Sequence, residues 1–126
     1  MSIDVINLIS ASMKNLGLKY KFMRWAGQPE YPYFTGEYQE IPNINEDGMT
    51  ESTFLLTGFT RGDWLELEEA KEKIEAYFGK VGGQTVIADN GSAVAVFYSH
   101  SLVVPTDDAE LKRIEINLTI KEWSVK

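Results

Sequence analysis

Apolar and polar residues along the chain change period several times, and each change marks an element. Val5, Ile6, Leu8, Ile9, Met13 and Leu16 recur at helical spacing after Ser2, a residue suited to capping a helix, so the first segment reads as an amphipathic helix stopped by Gly17. From Leu18 to Trp25 the pattern alternates, with Leu18, Tyr20 and Phe22 opposite Lys19, Lys21 and Met23, which predicts a first strand. The turn-rich run Ala26 to Pro32 leads to a second strand over Tyr33 to Ile41, and Asn43 to Gly48 reads as an exposed loop. Thr53, Leu55, Thr57 and Phe59 then fall on one side of a third strand, with Phe54 and Leu56 on the other. Asp63 followed by Glu66 is a capping box for a second helix whose stripe Trp64, Leu67, Ile74 and Phe78 reads as core, and Gly79 reads as its left-handed end. Two β-rich runs, Thr85 to Ala88 and Ser92 to Ser99, flank Asp89, Asn90 and Gly91, a hairpin signal because Asn and Gly tolerate positive φ. In the last strand Ile114, Ile116, Leu118 and Ile120 alternate with Arg113, Glu115, Asn117, Thr119 and Lys121, so one face of the sheet is solvated or meets a polar partner.

The order is α-β-β-β-α-β-β-β: an α+β fold with an antiparallel or mixed sheet and two helices packed on it, in a single domain over residues 1–126. Hydrophobic residues make up 44% and charged residues 25%, which excludes disordered and collagen-like classes. No run approaches the ~20 apolar residues of a membrane span. The first residues carry Asp4 and no basic stretch ahead of their apolar positions, unlike a secretory signal, so cytoplasmic synthesis is expected. With no cysteine, disulfides, thiolate catalysis and Cys-based zinc sites are excluded. A net charge of −7 opposes tight binding to a phosphate backbone, which depends on Lys and Arg displacing counterions.

Catalysis finds little support. Ser99 and Ser101 flank His100 directly and are expected on the opposite strand face, and no GxSxG elbow is present, so His100 reads as a residue at a strand end or bend. Asp107, Asp108 and Glu110, and separately Glu46 and Asp47, lack the spacing of a Ca²⁺ loop and read as solvated loops. Arg61-Gly62-Asp63 matches the integrin tripeptide by chance, since Asp63 serves as a helix cap. No catalytic, cofactor-binding or metal-binding residue is assigned, and no enzyme activity is expected. The dense aromatic segment is different. Trp25, Tyr31, Tyr33, Phe34 and Tyr38, broken by Pro29 and Pro32, exceed what one buried strand face absorbs, and Tyr and Trp concentrate at interfaces. They are assigned, with the loop residues Asn45, Glu46 and Asp47, to a subunit or partner contact.

The central run ESTFLLTGFTRGDWLELEEAKEKIEAYFG, the aromatic PYFTGEY and the closing ELKRIEINLTIKEW together resemble the small tail terminator, tail completion or minor structural proteins of siphophages and Gram-positive prophages. The resemblance covers most of the chain and is one of overall pattern. It implies a virion structural protein that forms a ring, a hexamer being one form open to it, at the head-proximal end of the tail. Its partners would be further copies, the major tail tube protein and the head-completion protein, first in the host cytoplasm and then in the virion tail. Six copies of a −7 chain would put −42 around a channel that DNA must traverse without being held. A head-closure or head–tail adaptor role, and a small cytoplasmic ligand-binding or regulatory domain, are the alternatives.

Overall fold

The computed structural model describes residues 2–44, 48–79, 83–87 and 91–123, without side chains for 41–44. Its elements are α1 (Ile3–Asn15), β1 (Tyr20–Phe22), β2 (Tyr33–Ile44), β3 (Met49–Thr60), α2 (Trp64–Phe78), β4 (Gln84–Ile87), β5 (Ala93–Val104) and β6 (Lys112–Trp123). The strands form one mixed sheet in the order β1-β2-β3-β6-β5-β4. β1 runs parallel to β2, and every other neighbouring pair is antiparallel. The order α-β-β-β-α-β-β-β and the α+β class read from the sequence are those observed.

Strand alternation assigns one sheet face to the core. Phe34, Phe54, Leu56, Ile114, Ile116, Leu118, Ile120, Val94 and Val96 are buried there beneath Val5, Ile9 and Met13 of α1 and Leu67, Ala70, Ile74 and Phe78 of α2. Apolar burial over this two-layer core is the main term favouring the fold. Two glycines make room for rings that lie across the strands. A Cβ on Gly36 would sit 2.6 Å from Phe54 Cε1, and one on Gly58 would sit 2.7 Å from Phe34 Cζ.

Both helices begin as their sequences dictate. Ser2 Oγ accepts from the Val5 N–H at 3.4 Å. Asp63 Oδ1 accepts from the Leu65 N–H at 3.0 Å, while Glu66 Oε1 accepts from the Asp63 N–H at 3.2 Å, so the capping box is formed. The Thr60 hydroxyl, fully buried at the end of β3, accepts from the Gly62 N–H at 3.0 Å and donates to Glu66 Oε2 at 3.3 Å, which fixes the strand-to-helix turn.

Several expectations are corrected. Gly79 ends α2 in the right-handed region, with φ −86° and its N–H donating to Glu75 O at 2.7 Å, so the last turn closes as ordinary α-helix. Trp64 is 37% exposed: it occupies the first position of α2, and Ala70 completes the stripe beneath the helix instead. The first strand spans three residues, because Met23 takes φ +73° and turns the chain away from β2. β2 continues through Asn43 and Ile44, and Asn45, Glu46 and Asp47 lie outside the described residues, as do residues 88–90 of the predicted hairpin turn. The hairpin's strands do pair, Ile87 with Ala93 through Gln84 with Val96. β5 runs on to Val104 through an irregularity between Tyr98 and His100, which sets His100 within a strand rather than at its end.

Candidate functional site

Neither described helix lies on the second sheet face. Register defines its rows: Tyr33, Phe59, Arg113 and Val104 lie side by side across β2, β3, β6 and β5. Thr35, Thr57, Glu115 and Leu102 form the next row, and Glu37, Leu55, Asn117 and His100 the one after. The face therefore passes from an aromatic end to a polar middle. Glu37, Gln39, Thr53, Leu55, Glu115 and Asn117 line an open groove of about 360 Å³ in that middle.

At the aromatic end the rings form a continuous series. Tyr33 is 5.1 Å from Trp25, 5.5 Å from Tyr31 and 5.2 Å from Phe59 between ring centroids, all within the range of favourable aromatic pairing. Each outer ring has a cation: Lys21 Nζ lies 5.7 Å from Trp25, Arg61 Cζ 5.9 Å from Tyr31, and Arg113 Cζ 5.8 Å from Phe59. The turn after β1 positions Trp25, whose indole N–H donates to Gln28 O at 3.0 Å. Burial among the rings pushes the Tyr33 phenol above its usual range, with Tyr31 adding to the effect and Arg61 opposing it.

Two charge contacts hold the arginines. Arg61 Nη1 is 2.8 Å from Asp108 Oδ2, and its Nε donates to the Tyr31 hydroxyl at 3.4 Å. The Asp108 carboxyl is held below the usual carboxylate range, first by the Glu110 backbone N–H at 3.0 Å and then by Arg61. Arg113 Nη2 donates to Glu115 Oε1 at 3.0 Å, whereas Arg113 Nε is shielded from solvent with no hydrogen-bond partner among the described residues.

The residues assigned from sequence to a contact thus separate. Trp25, Tyr31 and Tyr33 come together on the open face. Phe34 does not join them: it is 1% exposed and belongs to the core, because successive strand residues point to opposite faces and Tyr33 takes the outward one. Tyr38 shares Phe34's face, stacked on Phe22 at 6.3 Å beyond the reach of the helices, and is 39% exposed. Sequence reasoning missed Phe59, Lys21, Arg61 and Arg113. Phe59 alternates with Phe54 and Leu56, so its outward direction was readable; its place beside Tyr33 depends on register.

Elsewhere, Ser99 Oγ is 3.0 Å from His100 Nδ1, a contact made at the irregularity in β5 and contrary to the expectation that the two point apart. His100 is exposed, and no acid completes a triad among the described residues. No group of three or more His, Cys, Asp or Glu among them is arranged to hold a metal ion. No helix among the described residues is long and apolar enough to cross a membrane.

No family model matches this sequence, and no curated protein does. Solved structures do share its fold. One, of a protein that bears no functional name, aligns with 100% of this chain and 99% of its own at 17% identity and a TM-score of 0.67. A chain in the virion of a native gene transfer agent particle aligns with 91% of this chain and 86% of its own, at 9% identity and a TM-score of 0.62. At these identities the likeness is one of fold.

Proposed function

We propose that this chain is a structural protein of a phage-like particle, of the tail terminator or tail completion type, which forms a ring at the head-proximal end of the tail. The observation that carries the reading is the fold shared, over 91% of the chain, with a component of a gene transfer agent virion. The uncovered sheet face supports a role in binding. Its four 12-residue strands extend over roughly 40 by 19 Å, about 760 Å². That is close to the ~800 Å² that each partner contributes to a standard protein interface.

The aromatic end is the part of that face best suited to anchor a neighbour. Trp25, Tyr31, Tyr33 and Phe59 present flat rings of few rotamers. The partners on this reading are further copies of the chain, the major tail tube protein and the head-completion protein. The chain works by binding rather than by chemistry, in the host cytoplasm during assembly and then in the virion tail.

Electron microscopy of particles made without the gene tests the proposal. Tails of uncontrolled length lacking heads are the expected result. Tails of normal length beside filled, unattached heads would transfer the chain to a head-closure or adaptor role. Intact infectious particles would overturn the assembly reading in favour of a cytoplasmic ligand-binding module, for which the polar groove lined by Glu37, Glu115 and Asn117 is the supporting observation.

A further inference from the structure

Charge is distributed unevenly along this acidic chain. Between Asp4 and Glu30 there is no acidic residue, yet Lys14, Lys19, Lys21 and Arg24 fall in that interval. The end of α1 and the start of β1 bring Lys14 and Lys19 to a groove of about 490 Å³, with Leu18 and Phe22 as its apolar lining; Lys21 borders it but carries its charge to the other sheet face, over Trp25. All three lysines are exposed, and Met23, next along the chain from Phe22, is 58% exposed.

Helix α2 has the opposite character. Asp63 to Gly79 holds six acidic residues against Lys71 and Lys73, a net −4. Lys71 is already engaged by Glu68 at 3.2 Å. Leu65, Glu69, Glu72 and Ala76 are all exposed and recur at intervals of four, three and four, so they form one stripe along the outer side of the helix. Leu65, 59% exposed, heads that stripe.

Taking the ring-forming reading above as its basis, we infer that α2 of one copy docks in the α1–β1 groove of the next copy. The groove is basic with an exposed methionine beside it, and the ridge is acidic with an exposed leucine at its head, so charge and apolar surface match across the contact. Within one copy the two lie over different strands: α1 packs mainly on β1, and α2 packs on β3, β5 and β6. Because the two surfaces differ, the contact is head-to-tail. Such a contact closes into a ring when its rotation returns to the start.

The contact is tested by charge reversal and mixing. The wild-type chain is expected to sediment as an oligomer at low salt and to dissociate toward monomer near 1 M salt, where the Debye length is about 3 Å. Lys14→Glu with Lys19→Glu makes groove and ridge both acidic; Glu69→Lys with Glu72→Lys makes the ridge basic like the groove. Each variant alone is expected to be a folded monomer, by circular dichroism and sedimentation velocity. An equimolar mixture restores both complementary contacts and is expected to recover the oligomer. A wild-type chain that stays monomeric at every salt concentration, a single variant that assembles like wild type, or a mixture that stays monomeric overturns the contact. Charge-insensitive rings combined with a tail defect in the deletion strain would remove this contact and leave the assembly role in place. Rescue by mixing combined with normal particles would do the reverse.

Discussion

Phe34 lies across the sheet over Gly58, its register partner on β3, and a Cβ at Gly58 would fall 2.7 Å from Phe34 Cζ and 3.0 Å from Cδ2. The ring cannot swing clear, because it is held in the core beneath the helices. Gly58→Ala is therefore expected to cost ~1–3 kcal/mol of stability in a urea titration, the usual range for overpacking a core. Phe34→Leu removes the obstructing ring atoms, so the double variant should lose less than the sum of the two single changes. Strict additivity would mean that the ring and the added methyl do not meet.

The turn into α2 concentrates stability in a few polar atoms. Asp63→Ala leaves the Leu65 N–H without its acceptor, and a loss of about 1 kcal/mol is expected, read as a lower urea midpoint with unchanged slope. An unaltered midpoint would show that solvent replaces the cap without penalty.

Asp108 gives a prediction in pH. Its carboxyl is held down first by the Glu110 N–H and second by Arg61. Because the folded value lies below the ordinary one, near 3.9, the loop gains its stabilisation above that pH and loses it as pH falls through the lower folded value. Arg61→Gln removes one cause and leaves the other, so an NMR titration of Asp108 should show a partial rise. A return to the ordinary carboxylate value would mean that Arg61 alone governs this group.

The aromatic end is tested in assembly rather than stability. Tyr31→Ser with Tyr33→Ser, supplied to a strain lacking the gene, should give a folded chain that fails to support particle formation. Normal particle yield from the double variant would dismiss this surface as a contact.

Local signals in the sequence were sufficient for the elements. Helix caps at Ser2 and Asp63 and the alternation of β6 act over a few residues, so they survive folding unchanged. Long-range pairing was not readable. Arg61 and Asp108 meet across 47 positions, and Tyr33 meets Phe59 only because β2 and β3 pair in one register. Phe34 was assigned to a contact surface because aromatic density says nothing about which face each ring takes. Strand parity from Tyr33 would have separated the two, once the start of β2 was known. Trp64 obeys helical spacing, yet it stands at the first turn of α2 and remains exposed there.

The place of β6 bears on how the protein is made. It follows every other described element, yet it lies between β3 and β5 and pairs along its full length with both. Met49 waits for Trp123 across 74 positions. Until synthesis has passed Trp123, the nascent chain consists of two separate half-sheets, with Phe54 and Leu56 lacking the strand that shelters them. Folding is therefore expected to wait for β6 and to be slow for a domain of this size, as for other folds dominated by distant pairings.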